Sequence, residues 1–92
     1  MCIPIVKLAE DETPVSYQFQ SNYWIKDPDY AGRSKIHATY HGEILCDKTS
    51  RECVVVTAMP HDDGLVARRA IRAICKHLER DEYPDETMWA SG

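Results

Sequence analysis

Two histidines and two cysteines lie close together in the sequence and carry the side chains that tetrahedral zinc uses. They are His37, His41, Cys46 and Cys53, and imidazole and thiolate groups are the usual zinc ligands. His37 and His41 fall in a segment with strand periodicity, where four residues span roughly 13 Å instead of one helical turn. No C-x2-C pair is present to begin a zinc knuckle. The spacing therefore argues against a zinc site, and we predict no metal ion and no other cofactor.

Cys46 and Cys53 also flank a polar turn, so they lie opposite each other if that turn centres on residues 49–50. The same register opposes two like-charged pairs, Asp47 with Glu52 and Lys48 with Arg51. Like charges directly opposite each other destabilise a strand pair. This register, and a disulfide across it, are therefore disfavoured, although the sequence leaves the pairing of Cys46 with Cys53 open. We expect all four cysteines, including Cys2 and Cys75, to be small, hydrophobic free thiols.

The sequence also lacks the arrangements typical of nucleophilic catalysis. Cys75 falls in the middle of a predicted helix, where its thiol should be inert. The acidic pair Asp62 and Asp63 precedes that helix and fits the role of an N-terminal cap. The four glycines are scattered and form no phosphate-binding loop. A domain of this size offers little concave volume, so we predict neither an enzyme nor a small-molecule binding site.

Basic residues concentrate in one predicted helix. Residues 65–80 contain five basic residues and one acidic residue, whereas the flanking regions are acidic. On a helical wheel the five lie within about 120° of one another, opposite the apolar stripe. They are Arg68, Arg69, Arg72, Lys76 and Arg80. Such a face binds phosphate backbones or acidic proteins, or is simply solvated and partly neutralised by the acids of residues 81–86.

Large aromatic and thioether side chains lie in a predicted loop region and near the C-terminus. They are Tyr23, Trp24, Tyr30, Met88 and Trp89. These residue types are enriched at protein interfaces, and their positions are those where burial inside a small domain is least assured. We therefore predict that they form a surface for a protein partner or for a second copy of the chain.

The elements that must position these residues follow from the periodicity. Strands are predicted at residues 3–9, 15–20, 34–40, 43–46 and 53–58, since apolar and polar residues alternate or apolar residues run together there. An amphipathic helix follows from residue 65 to about residue 82. Ile36, Ala38 and Tyr40 are expected on one strand face. The fold class is therefore α+β, a mostly antiparallel meander of four to five strands with one C-terminal helix packed on one face.

Length and composition limit the remaining choices. The 92 residues make one domain, which we place at residues 1–82, with an acidic C-terminal tail at residues 83–92 whose Met88 and Trp89 either pack back on the domain or lie at an interface. The net charge of −4 argues against coating nucleic acid by bulk charge. The sequence has no signal-peptide pattern and no long apolar segment, so we expect a cytoplasmic protein without membrane contact. The predicted function is a small non-enzymatic interaction or regulatory module, with nucleic-acid binding by the basic helix face as the alternative.

Overall fold

The computed structural model describes residues 2–26, 29 and 32–90. Strand β1 is Cys2–Glu10, β2 is Pro14–Lys26, β3 is Ser34–Asp47 and β4 is Cys53–Thr57. Helix α1 is Leu65–Leu78, and a further strand, β5, is Glu86–Ala90. All strand pairings are antiparallel, and the five strands lie in the order β4-β3-β2-β1-β5. The predicted α+β fold, an antiparallel sheet with one helix on one face, is confirmed.

The face of the sheet beneath α1 forms the core. Alternate residues of the three inner strands are fully buried there, among them Ile5, Phe19 and Ile44. Gly42 lies opposite Phe19 in the register of β2 and β3. A Cβ atom on Gly42 would overlap the Phe19 ring and lie 2.9 Å from the Thr57 carbonyl oxygen. Glycine is thus needed at position 42 because the ring occupies the space of its missing side chain.

The apolar stripe of α1 completes this core. Its buried residues are Val66, Ala67, Ala70, Ala73, Ile74 and Leu78. The helix ends at Leu78, several residues before the predicted end, and chain reversal follows at Asp81, whose φ is 55°. The N-cap is Gly64 rather than an aspartate, with φ 105°. Asp62, two residues before the N-cap, still satisfies amides of the first turn. Its carboxylate accepts hydrogen bonds from the amides of Val66 and Ala67, both 3.1 Å long.

Two of the central strands are longer than the sequence pattern indicates. Residues 34–40 and 43–46 belong to one strand of 14 residues, because Gly42 lies within the ladder and makes no turn. β3 carries one extra residue, His37, between the pairs Tyr23↔Ala38 and Trp24↔Ile36. This bulge reverses the alternation, so Ile36 lies on the opposite face from Ala38. The prediction that these two side chains share a face is wrong for that reason.

Strand β5 lies within the segment predicted to be an acidic tail. It pairs with β1 from Cys2↔Ala90 to Val6↔Glu86 and forms one edge of the sheet. Strand β4 forms the other edge and pairs with β3. Residues 86–90 are therefore part of the sheet.

Cys46 and Cys53 face each other in the register of β3 and β4 and form a disulfide, with their Cα atoms 4.1 Å apart. The expectation of four free thiols is therefore wrong, and Cys2 and Cys75 are the free ones. The like-charged pairs do not clash because the turn directs their side chains elsewhere. Lys48 binds Glu10, Arg51 binds Asp81, and the Asp47 carboxylate accepts from the amides of Thr49 and Ser50.

The molecule is elongated, with principal extents of 50 × 25 × 20 Å. β1 pairs with β2 only as far as Phe19, and β4 pairs with β3 only as far as Glu43. Beyond these points β2 and β3 continue as a two-stranded ribbon that ends at Lys26 and Ser34. No helix in the described part of the chain has the length and apolar character needed to cross a membrane.

Candidate functional site

The face of the sheet opposite α1, here called the open face, has no helix of the described residues packed on it. It is formed by the residues that alternate with the core positions of each strand. On β2 these are Ser16, Gln18, Gln20, Asn22 and Trp24, none of which is charged. Because the central strand contributes only neutral side chains, desolvating this face costs less than desolvating a typical charged surface.

Trp24 is the largest exposed side chain on the open face, with 55% of its surface accessible. It lies on the ribbon, two residues before its end at Lys26, and directly opposite Ile36, which is 49% exposed. The bulge at His37 produces this contact pair, since it moves Ile36 to the same face as Trp24. Two large apolar side chains thus lie side by side in solvent, which is typical of a binding surface.

The apolar surface continues from Trp24 across β1 to β5. Trp24, Asn22 and Cys2 line one depression of about 450 Å³. The Cys2 Sγ atom lies 3.7 Å from the Sδ atom of Met88, whose side chain is 56% exposed. We define the open-face patch as Cys2, Trp24, Ile36 and Met88. It joins residues that lie far apart in the sequence into one apolar area.

The predicted interface residues therefore divide between two faces. Trp24 and Met88 belong to the open-face patch, whereas Tyr23 and Trp89 lie on the side of the sheet that carries α1. Tyr30 lies outside the described residues. The sequence prediction missed Cys2 and Ile36. The register of β1 with β5 and the bulge at His37 bring them to the patch. Neither the register nor the bulge can be predicted from the residue pattern within one segment of the sequence.

Tyr23 belongs to an aromatic cluster on the helix side of the ribbon. Its ring centroid lies 6.3 Å from that of Tyr40 and 6.1 Å from that of His61, and the rings of Tyr40 and His61 are 5.1 Å apart. His37 joins the cluster with its ring 6.2 Å from Tyr23. These contacts hold the base of the ribbon against the loop before α1, so Tyr23 has a structural role even though half of it is exposed.

The histidines and cysteines considered for zinc do not converge. His41 lies on the open face with its Nε2 atom 3.2 Å from the Gln20 side chain, and Cys46 is buried on the other face in the disulfide. Across the described residues no group of three or more histidine, cysteine or acidic side chains is placed to hold a metal ion.

The basic residues of α1 form a second distinctive surface. Arg68, Arg72, Lys76 and Arg80 are exposed, whereas Arg69 turns toward the sheet and its guanidinium lies 4.6 Å from the centre of the Trp89 ring. The acids at residues 81–86 do not neutralise this surface. Asp81 binds Arg51 at 3.4 Å, Glu82 lies 3.4 Å from the His77 ring, and Asp85 binds Lys7 at 3.2 Å.

A cluster of charged side chains joins the end of β1, before the turn to β2, to the turn between β3 and β4. The Glu10 carboxylate binds Lys7 and Lys48, both at 2.6 Å. Hydrogen bonds from Lys48 and Lys7 hold the pKa of the Glu10 carboxyl below its usual value, and the hydrogen bond to Glu10 raises the pKa of Lys7. Lys48 also lies 4.5 Å from the centre of the Tyr83 ring. These contacts fix the turns and resemble structural ion pairs more than a catalytic pair.

Two further groups have shifted pKa values for a structural reason. Burial raises the pKa of the Tyr17 hydroxyl, which donates a hydrogen bond of 3.2 Å to the Pro84 carbonyl oxygen. Burial also raises the pKa of the Cys75 thiol, which favours the unreactive thiol form.

Comparisons of the chain with protein-family models, with curated protein sequences and with solved structures found no match.

Proposed function

We propose that this chain is a small non-enzymatic interaction module that binds a protein surface through the open face of its sheet, and that this surface is a second copy of the chain. The observation that carries the proposal is the open-face patch. More than half of Trp24 and of Met88 is exposed there, on a face that none of the described helices or strands covers. Exposed aromatic and thioether side chains on a face poor in charge are typical of the centres of protein interfaces.

The size of the open face also supports an interface between two copies. The five strands contain 46 residues, and at about 3.3 Å per residue and 4.8 Å between strands they give a face of roughly 700 Å². That area is close to the roughly 800 Å² that one partner buries in a typical stable complex. The face carries few charges, so two copies can meet without bringing many like charges together. Glu43 and Glu86 are its acidic residues between the ribbon and the β3–β4 turn, and they lie on different strands.

Light scattering after gel filtration, over a wide range of protein concentration, tests this proposal. The wild-type chain should dimerise, and Trp24→Glu should weaken the dimer at least about 30-fold, or ~2 kcal/mol, as expected when a charge replaces an aromatic residue of an interface. Leu65→Glu is the control, because it adds the same charge at an exposed apolar side chain of α1, on the other side of the sheet. It should leave the dimer unchanged.

Two results would separate the parts of the proposal. A monomeric wild type that binds one purified protein in a manner lost in Trp24→Glu and kept in Leu65→Glu would retain the open-face module but replace the second copy as its partner. A monomeric wild type whose binding to other proteins is the same with and without Trp24→Glu would overturn the proposed function.

A further inference from the structure

Helix α1 packs beside the edge strand β5 and leaves a groove between them. The His77 ring nitrogen Nε2 lies 2.9 Å from the Thr87 hydroxyl, and Arg69 stacks over Trp89. Two depressions of about 340 and 460 Å³ meet at Trp89, which lines both. We define the basic groove by the cationic residues that line these depressions, which are Arg68, Arg69, Arg72, Lys76 and Arg80.

Four of the five cationic side chains of the basic groove form no ion pair with the described residues. Among the described residues, no carboxylate lies within 4 Å of a side-chain nitrogen of Arg68, Arg72, Lys76 or Arg80. The acid of the helix C-cap, Glu79, is exposed to solvent, and Glu82 faces His77 instead. A surface with this much uncompensated positive charge favours an anionic ligand.

The main chain of β5 adds a second recognition element to the groove. The amide of Lys7 donates to the Asp85 carbonyl oxygen at 2.8 Å, which fixes the phase of the β1–β5 ladder. In an antiparallel ladder, hydrogen-bonded and non-hydrogen-bonded pairs alternate. Thr87 and Trp89 therefore bond to β1, and Pro4, which has no amide proton, fits opposite Met88 as a non-bonded pair. The outward-facing N–H and C=O groups of the edge belong to Glu86, Met88 and Ala90.

We propose that the β5 edge binds an extended acidic peptide segment as an added antiparallel strand, with every second side chain acidic and lying over the basic groove. The remaining side chains of that segment lie on the open-face side, beside Met88 and Glu86. They must be uncharged or apolar there, because Glu86 repels further acids. The ligand is thus a segment in which acidic and apolar residues alternate. This site is distinct from the Trp24 end of the open-face patch, so its failure would not affect the proposed dimer.

A peptide fits the edge better than a nucleic acid does. The β5 edge offers N–H donors and C=O acceptors together, and a peptide strand satisfies both, whereas phosphates only accept hydrogen bonds. Trp89 also has Arg69 stacked over its ring, which reduces its use as a platform for bases. The helix that carries the basic groove begins after Asp62 and Asp63, which repel a phosphate backbone at that end.

The first test measures the affinity of a fluorescein-labelled peptide in which glutamate and valine alternate. We expect saturable binding that weakens with salt, and no binding of the matched lysine–valine peptide. The double variant Arg72→Glu with Lys76→Glu should bind at least about tenfold more weakly. The control is Lys26→Glu with Lys35→Glu, which changes the net charge equally at exposed positions on the ribbon. It should bind like the wild type.

The second test distinguishes strand addition from simple charge attraction. In an antiparallel added strand, the residues that exchange hydrogen bonds with Met88 share its face, so they are the valines. N-methylation of the valines should abolish binding, and N-methylation of the glutamates should leave it unchanged. Met88→Pro should also abolish binding without breaking the β1 ladder, since the amide it removes points away from β1. Met88→Val keeps that amide and is the matched variant.

Three results would overturn the proposal. One is equal affinity for the two N-methylated peptides, because the ligand would then be held by charge alone. Another is binding that is unaffected by Arg72→Glu with Lys76→Glu. The third is an oligothymidylate of equal charge that binds more tightly than the glutamate–valine peptide and loses that binding in the same double variant, which would assign the groove to nucleic acid.

Discussion

The face of the sheet beneath α1 and the open face consist of alternate residues of the same strands, yet their surroundings are opposite. Beneath α1, Ile5, Phe19 and Ile44 are completely buried. On the open face, Trp24, Ile36 and Met88 are about half exposed, although these side chains are also large and apolar. Burial of the first set stabilises the folded chain. The second set stays largely exposed after folding and stabilises the folded chain less, which is why we assign it to binding.

The largest difference between the faces should appear on truncation of an aromatic ring. Phe19→Ala should lower the free energy of unfolding by about 4 kcal/mol, because it removes a buried ring from the centre of the core. Urea unfolding of the monomer measures this loss. A loss below ~1 kcal/mol would show that the covered face does not stabilise the fold as described.

Reduction of the Cys46–Cys53 disulfide should produce the next largest effect. The bond joins cysteines seven positions apart, and opening so short a loop should lower the free energy of unfolding by about 2 kcal/mol. Urea unfolding with and without a reductant measures it. Cys2→Ser with Cys75→Ser is the control and should retain the difference. Identical unfolding curves for the oxidised and reduced protein would contradict the pairing.

Alkaline pH tests the buried hydroxyl on the covered face. Burial raises the pKa of Tyr17 above its ordinary value of 10.0, so the folded chain resists losing that proton. The protonated hydroxyl therefore contributes to the free energy of unfolding. This contribution is complete below pH 10 and is lost as the pH rises from 10 toward the higher folded-state pKa. The free energy of unfolding should therefore fall more steeply above pH 10 in the wild type than in Tyr17→Phe. Parallel profiles would show that Tyr17 ionises equally in both states.

The smallest effect on stability is expected on the open face. Ile36→Ser should lower the free energy of unfolding of the monomer by only about 1 kcal/mol, because this side chain is half exposed and the change removes one cross-strand pair, with Trp24. Under the same conditions it should weaken the dimer, as Trp24→Glu does. A loss of stability as large as that of a core truncation would mean that the patch serves folding and not binding.

Much of the covered face follows from the sequence, and much of the open face does not. Strict alternation in residues 15–20 and the helical stripe from Val66 to Leu78 identify the core, because burial imposes a period on the sequence. The open-face patch depends on a bulge at His37 and on the pairing of Cys2 with Ala90. Both are set by long-range register, which local periodicity does not encode.

The disulfide shows the same limit. From the sequence, pairing of Cys46 with Cys53 is disfavoured because it brings like charges opposite each other across the turn. In the structure Arg51 adopts a positive φ of 64°, and the charged side chains leave the ladder for partners on other elements. Disulfides persist mainly in oxidising compartments, so the expected cytoplasmic location stays a prediction.

The alkylation rate of Cys2 tests the role of the open face most directly. Cys2 is an exposed free thiol within the patch, whereas Cys75 lies on α1 and is partly buried. A maleimide reagent with mass-spectrometric site assignment measures both rates as a function of protein concentration. We predict that the Cys2 rate constant falls as the concentration rises, that the Cys75 rate constant does not, and that Trp24→Glu abolishes the fall. A Cys2 rate constant that is the same at all concentrations would contradict the covering of the open face by a second copy.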